Sequence, residues 1–372
     1  MEEAIPKMRI TQVIPTLSTG GAEQFVISLS NELSKKNDVT LITLFKINDD
    51  IIRKRLSDKV TLIELNGEIN NKISVLLKLN SVLMKTKHDV IHTHLSIPFY
   101  IFPFAFFCKD KYRVIHTIHN IARYDAPRKL AKYINKAYFK ICKAIPVSIS
   151  DIVSESVKNY YNLRYTEIIK NGTETISETV KYEEVKRRVN ELRKQYTNVF
   201  CHIARMDPQK NHRLLIDVLK KNKDCYVISM GAITQDNIKY AKHIMDYSQK
   251  ISNFEYIGVV DNVSDYIKSS DGIIFSSVYE GLPISLIEGM SVGKICISTP
   301  AGGVADILDD ECGVLANDFS EAQLDIAIKK FMSFSECEKQ YMEYNIRNRF
   351  KNEFSISICA DKYSQIYENN KS

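Results

Sequence analysis

Glycine and proline are sparse in this chain, 13 and 9 in 372 residues, which excludes collagen-like, linker-rich and low-complexity architectures. Eight cysteines occur, but none stands in a Cys-x-x-Cys pair. Most lie in apolar segments, as buried free thiols do, which points to a reducing compartment and away from a thiolate zinc site. No apolar run is long enough to span a bilayer: the longest, "IPFYIFPFAFF" (97–107), falls short and carries two prolines. The first twenty residues read as strand and loop, without the apolar core of a signal peptide. The expected location is the cytoplasm, free or docked on the inner face of the cell membrane.

What is present is an ordinary globular composition, 44% hydrophobic and 26% charged, on a chain long enough for two cores. The net charge of +6 is unevenly shared, +9 over residues 1–177 and −3 over the remainder. A basic first half calls for an anionic partner.

Buried-type strands such as "MRITQVIP" (8–15), "DVTLITLF", "HDVIHTH" and "YRVIHTIH" alternate with helical stretches through residue 177. A charged helical segment, 178–196, reads as a connection. The alternation then restarts with "NVFCHIAR", "DCYVISMG", "NFEYIGVV", "DGIIFSS" and "KICIST" over 197–337, and residues 338–372 read as C-terminal helices, expected to pack back on the first domain. Strand–helix alternation makes parallel sheets wrapped on both faces. The expected fold is therefore α/β, two Rossmann-like doubly wound domains facing across a cleft at the carboxyl ends of their strands, where such sheets bind ligands.

The stretch "SVYEGLPISLIEGM" (277–290) sets two glutamates, Glu280 and Glu288, eight apart in a strongly apolar segment. "DGIIFSS" ends just before it, so Glu280 falls on a strand-end loop. Pro283 suits a first helical turn, and Glu288 lies just over a turn inside that helix. The free amides of the helix start would meet an anion, and each carboxylate could accept neutral hydroxyls beside it. The competing reading is a capping acid plus an unrelated surface acid.

"HIARMDPQKNH" places Arg205 and Lys210 around an Asp207–Pro208 turn straight after a strand, two cations where a diphosphate would need them. Solvated turn charges are the alternative. In the first domain "STGGAEQF" puts Gly20 and Gly21 between strand and helix, allowing close approach of a phosphate. It is not Gly-x-Gly-x-x-Gly, and no ribose-binding acid follows some twenty residues on, so a nicotinamide dinucleotide is not expected.

His92 and His94 end one strand on one face, and His116 and His119 end the next. Without an accompanying carboxylate they make a poor metal site; substrate contact or acid–base work fits better, with His92 and His94 as acceptor-side candidates. His202, within a strand, reads as core. Lys129, Lys132, Lys136, Lys140 and Lys143 form one stripe of a helix near 127–143, either a solvated face or a surface for anionic lipid headgroups. No base-stacking or recognition-helix pattern accompanies them, so nucleic acid is not an expected partner.

Taken together, "GGAE", "DVIHTHL", "HTIHN", "IIKNGTE", "ARMDPQKN" and above all "SSVYEGLPISLIEGMSVGKICISTPAGGVADIL" resemble glycosyltransferase family 4, over nearly the whole chain. The resemblance implies the glycosyltransferase-B fold, a retaining and metal-independent transfer and a nucleotide-sugar donor. It also implies a setting among bacterial capsule, exopolysaccharide and lipopolysaccharide enzymes. It places Arg205 and Lys210 on the donor diphosphate, with Gly20 or Gly21 approaching from the other domain. Glu288 would take the ribose hydroxyls, while Glu280 and the stretch Gly281, Leu282, Pro283, Ile284 and Ser285 face sugar and phosphate. His119 would stand near the reacting carbon. No Asp-x-Asp triplet occurs, in keeping with an expected absence of metal. Asp306 where Glu is frequent and Gly289 where Ala is common are departures. Two other functions fit the same architecture: a nucleotide-sugar 2-epimerase, and a non-catalytic sugar-nucleotide or membrane-binding module.

Overall fold

The computed structural model describes residues 7–18, 20–47 and 50–368. Seven short, β-branched and mostly buried segments form the first sheet: β1 (Arg9–Ile14), β2 (Asp38–Thr43), β3 (Val60–Glu64), β4 (Val90–His94), β5 (Arg113–Ile118), β6 (Ile145–Ser148) and β7 (Glu167–Ile168). Their spatial order is β3-β2-β1-β4-β5-β6-β7, and every pairing is parallel. The order reverses between β1 and β4, whose register sets Gln12 beside His92. All five residues of β4 are buried, as expected of a central strand covered on both faces.

Six more strands make the second sheet: β8 (Asn198–Ile203), β9 (Cys225–Met230), β10 (Phe254–Tyr256), β11 (Gly272–Phe275), β12 (Cys296–Ser298) and β13 (Val314–Leu315). They lie in the order β10-β9-β8-β11-β12-β13, again all parallel. The reversal here falls between β8 and β11. Both sheets are thus the doubly wound α/β type, and in each the loops leaving the reversal point are the natural place for a ligand.

The division of the chain differs from the expected one at two places. The segment 178–196 is not a free connection. Its helix Tyr182–Leu192 buries Val185 and Val189 and packs on the helix Val263–Ser269. Thr179 donates to Asp265 from its backbone N–H at 2.8 Å and its hydroxyl at 2.5 Å. Amphipathicity, masked by a high charge density, recruits it to the second unit, which runs from Glu174 to Ser355.

The C-terminal stretch is itself divided. The helix Glu336–Arg349, opened by a capping box between Ser335 and Glu338, stays with the second unit. After a π-helical turn at Phe350–Phe354, the helix Ile356–Glu368 joins the first unit. It packs on the helix Gly21–Leu33 and buries Cys359, Tyr363 and Tyr367 there. Tyr363, with no exposed surface, donates or accepts at the Thr117 hydroxyl at 2.8 Å. Tyr363→Ala is expected to cost the first unit about 4 kcal/mol, seen in urea denaturation as an earlier transition.

Candidate functional site

In the second unit the loops leaving β8 and β11 are built as one piece. Asp207 caps the 3-10 turn Pro208–Lys210, accepting from the Gln209 N–H at 2.8 Å, and its other oxygen accepts from Asn237 at 3.0 Å. Asn211 closes that turn in the left-handed region, at φ 48°. Four hydrogen bonds then lace the two loops. Val278 N–H donates to Gln209 C=O, the Gln209 amide to Tyr279 C=O and the Ser276 hydroxyl to Lys210 C=O, each at 2.8 Å. The fourth is the ion pair Lys210 Nζ–Glu280 Oε1 at 2.5 Å.

Both members of that pair are almost enclosed, with side chains 15% and 7% exposed. The same Glu280 oxygen accepts from the Ser277 hydroxyl at 2.6 Å. Underneath, Gly302 passes so close that a Cβ would lie 2.1 Å from the Glu280 carbonyl oxygen, and its φ of +59° independently favours glycine. Gly231 meets a similar constraint: a Cβ would stand 2.1 Å from the Ala204 carbonyl oxygen. Arg205 is exposed at the head of the β8 loop. Lys210 and Glu280, read from sequence as serving different parts of a donor, here hold each other.

Pro283 begins the helix Ile284–Ser291, in which all residues except Ser285 and Glu288 are buried. These two are three apart, so they share the helix's outward stripe. Gly281 and Leu282, on the loop before it, are both buried. The buried side is close-packed: a Cβ at Gly289 would meet the Ile273 Cδ1 at 2.4 Å, so an alanine there would require that side-chain end to shift.

In the first unit Gly20 and Gly21 stand at the start of the helix Gly21–Leu33, with Thr19 outside the described residues. Gly20 does not need a left-handed backbone, its φ being −72°. Its lack of a side chain makes room for the Glu23 carboxylate, which folds back over the helix start and accepts from the Ser18 hydroxyl at 2.9 Å.

The histidines form a buried floor under the carboxyl ends of β4 and β5. His92 contacts the Tyr367 hydroxyl and the Thr117 hydroxyl, both at 2.7 Å. His94 contacts Gln12 Oε1 at 2.7 Å and His119 Nε2 at 3.0 Å. His92 and His94 have no exposed surface and both ring nitrogens of each are engaged, so as acceptor-side candidates they are displaced: they are interior residues that hold their neighbours. His119 is half-buried, and its Nδ1 has no hydrogen-bond partner. Burial pushes His119 and His116 down to about 3, and His92 and His94 well below the usual histidine value. His119 is therefore a neutral imidazole at physiological pH, suited to hydrogen bonding and not to acting as a cationic acid. His202 is core, 3.0 Å from the Ser229 hydroxyl.

Sequence reasoning missed Gln12, Glu23, Ser277, Tyr363 and Tyr367. Tyr363 and Tyr367 are four apart on a helix and so share a face, which was a readable signal; what they would touch was not.

Two family models match, "Glycosyltransferase Family 4" over residues 19–176 and "Glycosyl transferases group 1" over 183–349. The chain belongs to the family 4 glycosyltransferases. Among curated relatives it is 24% identical over 307 residues to an Escherichia coli UDP-Gal:alpha-D-GlcNAc-diphosphoundecaprenol alpha-1,3-galactosyltransferase, covering 78% of each chain. It is 23% identical to a Campylobacter jejuni alpha-1,4-N-acetyl-D-galactosaminyltransferase that acts on a diphosphoundecaprenol-linked glycan, over 96% of this chain and 98% of that one. The crystal structure of Anabaena HepE with UDP and glucose superposes with a TM-score of 0.80 at 14% identity, covering 98% of this chain and 100% of that one, a likeness of fold. The glycosyltransferase-B type of fold expected from the motifs is thereby shown.

Two outcomes test the geometry. Gly302→Ala is expected to lower stability by at least about 1–2 kcal/mol, from the positive φ alone, and to disturb Glu280, read by denaturation and by nucleotide binding. For the histidines, the folded state keeps the rings neutral while the unfolded chain takes up protons near pH 6.5. Stability is therefore full above that pH and falls as pH drops toward 3, by about 1.4 kcal/mol per pH unit for each withheld proton. Denaturation of the first unit at pH 7 and pH 5 checks this.

Proposed function

We propose that this glycosyltransferase moves a sugar, with retention of anomeric configuration, from a UDP-sugar to a hydroxyl of a glycan or lipid-linked glycan during surface polysaccharide assembly. The carrying observation is the nearly enclosed Lys210–Glu280 pair beside exposed Arg205, at the carboxyl ends of β8 and β11. Breaking a sugar–diphosphate bond gathers negative charge on the leaving phosphate. Two cations held on braced loops stabilise that charge without reorganising. In this reading they do so without a metal ion, and the backbone N–H groups of Ile284 and Ser285 at the helix start assist.

Glu280 keeps Lys210 aimed and faces the transferred sugar, and Glu288, on the outward stripe with Ser285, accepts the ribose hydroxyls. In the first unit Gly20 and Gly21 offer backbone to the diphosphate, and neutral His119 stands near the reacting carbon. The Escherichia coli relative, named for UDP-Gal and a diphosphoundecaprenol-linked acceptor, supports the choice of donor and acceptor class. Lys129, Lys132, Lys136, Lys140 and Lys143 would hold the enzyme at the cytoplasmic face of an anionic membrane. Among the described residues no helix is long and apolar enough to cross one.

Lys210→Ala and Glu280→Gln are each expected to lower kcat by about 10²–10³-fold with the fold retained; unchanged transfer would reject the assignment. Incubating donor alone separates the isomerase reading, since epimerised sugar without acceptor would establish it. Full activity after chelation is expected, and a metal requirement would overturn that part. Charge reversal of Lys132, Lys136 and Lys140 is expected to abolish sedimentation with anionic vesicles.

A further inference from the structure

The apolar stretch 97–107 becomes a helix, Ile97–Phe107, and it lies on the surface of the first unit. A helix that is apolar all round ordinarily has to be covered on every side. Here Ile97, Tyr100, Ile101 and Phe104 are buried inward. Phe99, Phe102 and Pro103 are only partly covered, and Phe107 is 83% exposed. The helices Lys72–Lys85 and Lys129–Lys140 flank it, and they add Ile73, Leu77, Met84, Leu130 and Tyr133 to the exposed apolar set. Between the three runs a groove of about 350 Å³, lined by Leu76, Phe99, Phe102, Pro103, Tyr133 and Ala137 among others.

The helix is firmly placed despite Pro103. Asn80 of the neighbouring helix accepts from the Phe104 N–H and donates to the Tyr100 carbonyl, both at 2.8 Å. That amide satisfies backbone groups inside the protein and leaves the outer face apolar.

The three helices carry charge of one sign. Across the three helices there are seven lysines, at 72, 78, 85, 129, 132, 136 and 140, and no aspartate or glutamate. Lys143, just beyond, is paired with Asp110 at 2.8 Å. A second copy of the chain would set lysines against lysines, so self-association does not suit the face. A docked peptide would bring backbone N–H and C=O groups into a groove whose lining offers them almost no partner. A hydrocarbon chain has no such groups to satisfy, and an anionic headgroup at its end meets the lysines.

We propose that this groove is a lipid-chain site: it takes one hydrocarbon chain of an anionic lipid while the flanking lysines hold the headgroup layer. The proposal deepens the membrane reading of the lysine stripe, and its test distinguishes the two. Docking is then insertion, with Phe107, Leu130 and Tyr133 below the headgroups, and the acceptor's own lipid anchor is of the chemistry that the groove accepts.

The chain contains no tryptophan, so one introduced residue is a unique reporter. Phe102→Trp is placed in the groove, Leu130→Trp on its exposed rim as a second reporter should the first fail to fold, and Tyr344→Trp on the second unit as a control. Each is mixed with phosphatidylglycerol–phosphatidylcholine vesicles or pure phosphatidylcholine vesicles, with and without bromine on the acyl chains. The groove reporters are expected to shift to the blue and to lose at least about half their emission to brominated chains, as buried apolar groups in contact with them would. This should occur only with the anionic vesicles, and the control should not respond. Adding Ala137→Phe, which fills the groove, should reduce the quenching of the Phe102→Trp reporter while sedimentation with the vesicles persists. Sedimentation without quenching would overturn the chain site and leave headgroup adsorption alone. Absence of sedimentation would overturn both, and a blue shift without lipid accompanied by dimer in ultracentrifugation would show a second copy as the occupant.

Discussion

In the second unit the loops leaving β8 and β11 are locked together around one nearly enclosed ion pair. Lys210 and Glu280 stand 70 positions apart in sequence, and each is poorly tolerated there without the other. A charge withdrawn from water is costly alone, and the attraction between two such charges offsets that cost only at short range with the remaining valences filled. Ser277 fills one of them. The backbone bonds from Val278 and the Gln209 amide fix the loops that carry the two groups, and Gly302 lets a third segment press against the carbonyl of Glu280. Charge complementarity therefore sets loop geometry.

The sheets were legible because parallel strands covered on both faces leave continuous apolar runs, as in "DCYVISMG" and "KICIST". Residue types at the candidate site were legible too: Arg205, Lys210 and Glu280 stand out as charges at strand ends, and Glu288 as an acid within an apolar helix. Their pairing was not legible, because it follows from β8 and β11 being neighbours, a fact of strand order that no local pattern encodes. The histidines show the reverse limit. Spacing by two puts His92 and His94 on one face, yet in a sheet wrapped on both sides neither face is marked as open. The structure turns them inward, against Tyr367 and Gln12. Residues 178–196 were obscured by their charge, since Val185 and Val189 are a thin apolar stripe in a helix otherwise built for water.

The histidine floor is an interior made of polar rings where branched aliphatics would have sufficed for packing. Each ring must find partners, and it finds them in Thr117, Tyr367, Gln12 and His119. Aliphatic side chains would tolerate sliding, whereas these hydrogen bonds constrain the rings they join. It fixes the orientation of His119, the one member that reaches toward the surface, through contacts made two side chains below it.

The helix Ile356–Glu368 belongs to the first unit yet follows the whole of the second. A ribosome adding about 5–20 residues per second releases it roughly 10–40 s after Thr173 has been made. Through that interval the nascent first unit lacks Tyr363 and Tyr367, and the ring nitrogen of His92 that meets Tyr367 has only water or nothing. The first unit to be synthesised is thus the last to be completed, and chaperone demand should fall on the amino-terminal half while the carboxyl-terminal half is still being born.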